Sequence, residues 1–337
     1  MADPKEKKFH YGGQAVIEGV MMRGPKDFAV AVRKADGEIV STREDVDSII
    51  GRFKWLDKPF LRGTLALIDS MALGIKALKY SADIAMSDAV AAGNAQEGAD
   101  PKPSGGKVND VTVGAIMALG LVLGVALFML VPILIVRPLR ASHGLAGWEL
   151  TALEGGVKIT LFVLYVALIS LMKDIRRVFQ YHGAEHKTIN AYEAKEELTV
   201  ENVRRYTKAH VRCGTSFILV VMVASIVVFM FISWKSILMR FVYKLALLPV
   251  VAGIAYEVIR LAGRHKDSFF ARLLVLPGLV MQKITTREPE PEMIEVAIKS
   301  LQSVLDQEAL HAAESQPQLP TPNPYLLVSR CSRNSPK

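Results

Sequence analysis

Two long uncharged blocks constrain this chain more than any other feature. Residues 111–136 and 214–234 are 26 and 21 consecutive residues without a charged side chain. About 20 apolar residues in a helix cross the hydrocarbon core of a bilayer. Helices buried in a large soluble core are shorter and seldom free of charge, so both blocks are predicted to span a membrane.

Two weaker stretches, 155–172 and 241–263, have a similar length but carry charged residues, namely Lys158 in the first and Lys244, Glu257 and Arg260 in the second. A single lysine near the end of a span can extend its amine to the interface. We expect both stretches to cross. The chain is therefore predicted to be a mainly α-helical, polytopic membrane protein with about four transmembrane helices in a domain over 111–263.

The distribution of basic residues predicts the orientation. Near the spans, twelve lysines and arginines lie on the side of the two tails and the middle loop, against four on the opposite side. By the positive-inside rule, both termini are expected in the cytoplasm and the protein in the cell membrane. No apolar segment follows a basic start in the first 60 residues, so no cleaved signal peptide is expected.

The formal net charge of +8 is interpreted as topology and contact with the lipid bilayer. No interleaved basic and aromatic residues accompany the charge, so a nucleic-acid partner is not expected. Two cysteines in 337 residues also exclude a disulfide scaffold.

Outside the spans, composition predicts five further units. Residues 1–60 are predicted to form a small β-rich cytoplasmic unit, with a hairpin turn at Ala35-Asp36-Gly37. The others are an amphipathic interfacial helix over 61–90, a flexible linker rich in Gly, Pro and Ser over 91–110, an interfacial or re-entrant segment and C-terminal helix over 264–310, and a disordered tail over 311–337.

The middle loop, residues 173–213, is predicted to be helical and carries the residues with the most evident chemistry. It contains His182-Gly183-Ala184-Glu185-His186. Residues four apart share a helix face, so His182 and His186 can reach one ion. Glu185 beside them is a candidate catalytic residue, because a carboxylate can act as general base for a metal-bound water.

The remaining ligands stay open at this stage. Glu193 falls on nearly the same helix face, and His210 and Cys213 lie just before the third span. A zinc protease with the His-x-x-Glu-His order needs a third ligand, which Glu193, His210 or the distant Glu257 can supply. Two histidines and a carboxylate would leave a position for water, whereas adding Cys213 would close a structural zinc site.

Four segments resemble the YqhQ-like family, multi-pass proteins of bacteria and plastids with unknown function. They are YGGQAVIEGVMMRGP at 11–25, YHGAEHKTINAYE at 181–193, HVRCGTSF at 210–217 and TREPEPEMI at 286–294. The resemblance covers about residues 9–305. It implies a metal-dependent enzyme with ligands at His182, Glu185, His186, His210 and Cys213, and names no substrate.

Three hypotheses follow. The first is a membrane-bound, metal-dependent hydrolase, zinc being the expected divalent metal, that acts on a lipid or peptide substrate; Glu18, Arg23 and Arg212 are its candidate substrate-binding residues. The glycine-rich run around Glu18 is equally interpreted as a tight β-corner. The second is a zinc-stapled scaffold or assembly factor. The third and weakest is a transporter, because the first and third predicted spans contain no ionisable residue.

Overall fold

The fold is that of a computed structural model, which describes residues 11–46, 48, 58, 61–97, 110–143, 147–232, 236–264 and 268–314. Four strands form an antiparallel sheet in the order β1 (Gly12–Val16), β2 (Gly19–Arg23), β3 (Asp27–Arg33) and β4 (Ile39–Asp45). The turn between β3 and β4 has Gly37 at a φ of 91°. This confirms the predicted hairpin, since glycine adopts positive φ without strain.

The helices are α1 (Leu61–Glu97), α2 (Asp110–Val125), α3 (Val131–His143), α4 (Gly147–Ile169), α5 (Lys173–Glu193), α6 (Val200–Arg204), α7 (Gly214–Met230), α8 (Ile237–Arg264), α9 (Phe269–Thr285) and α10 (Pro291–Glu314). One π-helical turn, Ala126–Leu130, joins α2 to α3. The mainly α-helical fold with a small N-terminal sheet is therefore confirmed.

Both faces of the sheet are covered, which explains why β2 and β3 are almost wholly apolar. On one face, Val20 and Met22 of β2 pack against Ile294 and Leu301 of α10. On the other face, the sheet packs against Leu73 and its neighbours in α1. The N-terminal sheet and the C-terminal helix thus form one unit, although they stand at opposite ends of the sequence.

Within the described residues, three helices are long and apolar enough to cross a membrane. They are Gly114–Leu139, Gly147–Ile169 and Leu238–Ala262, with mean hydropathies of 2.9, 1.8 and 1.8. The block predicted at 214–234 forms α7, an apolar helix of 17 residues. The chain is a polytopic membrane protein, and α7 packs among α4, α8 and α9.

Two predicted boundaries differ from the structure. The helix α1 continues to Glu97, seven residues into the predicted linker, because the sequence AVAAGNAQE is rich in alanine, the strongest helix former. The span predicted at 155–172 begins at Gly147, since Glu149 and Glu154 interrupt the uncharged run but not the helix. Residues 98–109 of the linker and 315–337 of the tail lie outside the described residues.

Candidate metal centre

Helix α5 carries two histidines in or next to a stretch that is buried on all sides. Residues 183–189 are all buried, and His182, just before this stretch, retains partial exposure. The ring centroids of His182 and His186 are 4.3 Å apart, as expected for residues one helical turn apart.

Backbone carbonyls fix the orientation of both rings. His182 Nδ1 lies 2.9 Å from the Thr285 carbonyl oxygen, and His186 Nδ1 lies 2.7 Å from the Lys208 carbonyl oxygen. Because a carbonyl oxygen only accepts, each Nδ1 carries the proton, and in the neutral ring Nε2 then presents a lone pair. This arrangement is typical of histidines that bind metal through Nε2.

Cys213 supplies the third donor. It is the residue that caps the N-terminus of α7, and its Sγ lies 3.2 Å from His182 Nε2. One donor atom each from His182, His186 and Cys213 lie within 4.8 Å of one another. Ligand atoms of a tetrahedral zinc are about 3.5 Å apart, so the donor types and spacing fit a zinc ion.

Glu185 lies beside this group and is buried. Its Oε2 is 4.0 Å from His182 Nε2. Burial raises the pKa of the Glu185 carboxyl, while His182 and a hydrogen bond from the Gly13 backbone N–H oppose that rise. A Cβ at Gly13 would lie 3.0 Å from Glu185 Cγ and 2.4 Å from the Met21 carbonyl oxygen, so β1 approaches the carboxylate more closely than a side chain would allow.

His210 is held near the group but is not among the three clustered donors. Its ring centroid is 5.5 Å from that of His186. The Gln282 side chain accepts from the His210 N–H and donates to the His210 carbonyl oxygen, both at 2.8 Å. These paired bonds fix the backbone that leads to Cys213.

Two carboxylates considered as further ligands lie elsewhere. Glu193 forms an ion pair with Arg212, which is one of the candidate substrate-binding residues. Glu193 is eleven positions after His182, about 16 Å further along the helix. The two side chains therefore lie far apart although they share a helix face. Glu257 accepts two bonds of 2.7 Å from Arg62 of α1. Neither carboxylate joins the cluster.

The other candidate substrate-binding residues are also engaged within the protein. Glu18, at a φ of 50° between β1 and β2, accepts from Arg177 Nε at 2.6 Å and Nη2 at 2.5 Å. Tyr181 donates to the same carboxylate at 3.2 Å. Arg23 lies against α1, where its Nη1 is 3.5 Å from Ser70 Oγ and burial lowers its pKa. The glycine-rich run forms the antiparallel strands β1 and β2, and it reaches the candidate centre through Gly13.

Sequence reasoning missed Gly13, Gln282 and the carbonyls of Thr285 and Lys208. Gly13 lay in a run already marked by its glycines, but nothing in that run indicated Glu185 as its neighbour. Backbone carbonyls have no residue-type signal at all, so their role becomes visible only in three dimensions.

Comparison with known proteins gives the family. Residues 58–307 match the family described as "Protein of unknown function (DUF1385)". The chain belongs to this family. A relative, "Uncharacterized protein YqhQ" of Bacillus subtilis (strain 168), is 36% identical over 309 residues, which cover 91% of this chain and 96% of the relative. The resemblance to YqhQ-like proteins is thereby confirmed, and no solved structure matches the chain.

Proposed function

We propose that this DUF1385 protein is a membrane-bound, metal-dependent hydrolase that holds a zinc ion between His182, His186 and Cys213. The observation that carries the proposal is the orientation of two imidazoles, each with Nδ1 on a backbone carbonyl, beside a cysteine sulfur 3.2 Å from His182 Nε2. Three protein donors leave a fourth position for water or substrate, as in catalytic zinc sites.

A zinc ion there would act as a Lewis acid on a substrate oxygen and lower the pKa of a water. The chain's own residues contribute a proton acceptor and a donor that fixes the orientation of that acceptor. Glu185 is within reach of the centre and takes the proton from the attacking water, while the Gly13 N–H fixes its carboxylate. The same carboxyl, once protonated, can return that proton to a leaving group.

The position of the centre supports a substrate class for this proposal. Cys213 directly precedes the apolar helix α7, and Thr285 ends the apolar helix α9, so the donors lie where two apolar helices approach the middle loop. The excess of basic residues on this side supports a cytoplasmic face and cytoplasmic termini. A lipid headgroup or a peptide at the bilayer surface would reach the site without leaving the membrane.

A zinc-stapled scaffold is the second candidate. It is favoured by the number of segments that meet at the centre, since the two histidines of α5 are tied to the Lys208 and Thr285 backbones and lie beside the start of α7. A structural zinc would stabilise that junction, with a fourth ligand closing the site.

Metal analysis tests the centre. The purified wild-type protein is expected to retain about one zinc per chain, and His186→Ala close to none, because two donors hold zinc far more weakly than three. Inductively coupled plasma mass spectrometry measures the amount of zinc per chain in both proteins. His311→Ala removes a histidine of α10 outside the cluster and is expected to keep the metal. Equal zinc in wild type and His186→Ala would exclude the proposed site.

Glu185→Gln separates the two candidates. The substitution keeps the size of the side chain and removes its ability to accept a proton. For the hydrolase, zinc content and melting temperature remain near wild type, while complementation of a deletion strain fails. For the scaffold, all three remain near wild type. Loss of zinc in Glu185→Gln would instead make Glu185 a ligand and contradict its role as a base.

A further inference from the structure

Helix α1 carries a row of exposed apolar side chains on the side away from the sheet. Its members recur at helical spacing and are between 41 and 57% exposed; they are Ile68, Met71, Ile75, Leu78 and Met86. Leu73, by contrast, is buried against the sheet. Ile75 follows Leu73 by two positions, a rotation of about 200°, so the row lies opposite the sheet. We call these five residues the α1 stripe.

The same side of α1 contacts a membrane span where the helix begins. Thr64 is eleven positions before Ile75, which is three turns and a rotation of about 20°, so Thr64 lies on the side that carries the α1 stripe. Its Oγ1 donates to the Pro249 carbonyl oxygen at 2.7 Å. Pro249 is near the middle of the span Leu238–Ala262. This side of α1 therefore begins at the depth of the hydrocarbon core.

The packing of α1 against α8 leaves lipid-facing surface next to this contact. A Cβ at Gly63 would lie 2.5 Å from Tyr256 Cβ, so the glycine lets the two helices approach closely. Leu248 and Val250, the chain neighbours of Pro249, are 45% and 47% exposed. Exposed apolar side chains in the middle of a membrane span face lipid. The α1 stripe thus continues from a place that lipid already surrounds.

The charges of α1 fit a position at the membrane surface. Between Thr64 and Ala82 the charged residues are Asp69, Lys76 and Lys79, and Asp69 is buried. Each lysine follows a member of the α1 stripe by one position, which places it about 100° to one side of that member. Apolar side chains flanked by lysines are typical of helices that lie in the interface, where the ammonium groups reach the headgroups.

We propose that the α1 stripe lies in the lipid of the leaflet at which α8 ends, so that α1 is an interfacial helix with the bilayer on one side and the sheet on the other. From Ile68 to Met86 the stripe extends about 27 Å along the helix. A lipid surface can cover a row of this length continuously, beginning from the contact of Thr64 with α8. The position of α1 does not depend on a metal at the candidate centre.

Spin labels on introduced cysteines test this position in the full-length protein, in nanodiscs of phosphatidylcholine and phosphatidylglycerol. Ile75→Cys lies on the α1 stripe, and Lys76→Cys is the adjacent control, since the exposed Lys76–Glu44 ion pair contributes little to stability. The ratio of collisions with oxygen, which concentrates in lipid, to collisions with a water-soluble nickel chelate is expected to be severalfold higher at position 75. Cys331→Ser, in which Cys213 stays buried, is the parent protein and gives the background signal.

Met86→Cys and Ser87→Cys repeat the comparison further along the helix, and Ser87 is exposed and close to cysteine in size. Lipid exposure on the stripe with water exposure at the neighbouring position supports the proposal. Stripe labels that neither reagent reaches would show a protein partner, such as a second copy of the chain, and would overturn it. Equal access of the nickel chelate to all positions would place the stripe in water and would also overturn it. If Ile75→Cys does not fold, Leu78→Cys takes its place.

Discussion

Glu154→Gln is expected to destabilise the membrane domain more than any other single substitution considered for it. The change leaves Lys244 buried without the carboxylate that it contacts, and it removes the same contact from Arg240. Removing one partner of a buried ion pair costs about 3–5 kcal/mol, because the remaining charge has lost its solvent and its counterion. Melting followed by size-exclusion chromatography of detergent-purified protein measures the effect.

Glu149→Gln is the matched control. Glu149 lies in the first turn of the same helix, is only half-buried, and undergoes the same chemical change. It is expected to melt within a few degrees of the wild type. A Glu154→Gln protein that melts as the control does would mean that the Glu154 pair contributes little to the bundle.

Gly183→Ala is expected to produce the second large loss, at the candidate metal centre. A Cβ at Gly183 would lie 2.1 Å from the Arg287 carbonyl oxygen, which is a backbone atom. The Arg287 N–H donates to the Phe179 carbonyl oxygen at 2.8 Å, so the chain after α9 is fixed against α5 at this point. Overpacking of this kind costs about 1–3 kcal/mol.

The same displacement is expected to lower zinc content, because Thr285 holds the His182 ring from the segment that must move. Melting temperature and metal analysis of one preparation report both effects. Gly156→Ala is the control, since Gly156 is also helical and a Cβ there meets open space. Alanine is favoured in an open helical position, so the control melts at or above the wild-type temperature. If Gly183→Ala also melted at or above the wild-type temperature, the close approach of Gly183 to the Arg287 carbonyl oxygen would be contradicted.

Local patterns in the sequence were enough to locate the elements and part of the centre. Hydropathy found the helix Gly114–Leu139 from the block at 111–136, because continuous apolarity is a property of the segment itself. The four-residue spacing correctly predicted that His182 and His186 lie together, because helical spacing is also a property of the segment itself. Cys213 was found as the residue just before an apolar block.

Pairings between distant segments could not be read from those patterns. The start of α4 was not predicted, because a charged residue such as Glu154 argues against a membrane span as long as its partner is unknown. That partner, Lys244, lies on another helix. Glu257 was a plausible ligand until Arg62 was seen to bind it. The Gly13 contact with Glu185 depends on a strand and a helix that no periodicity connects.

The sheet covered by α1 and α10 has a consequence for how the protein is made. Strand β3 ends at Arg33 and α10 begins at Pro291, roughly 260 residues later. At 5–20 residues per second, synthesis of the intervening chain takes on the order of tens of seconds. During that time one apolar face of the sheet lacks the helix that covers it, and the membrane helices are inserted. The core that joins Val20 and Met22 to Ile294 and Leu301 can therefore form only late in biosynthesis, when the chain is nearly complete and its membrane helices are in place.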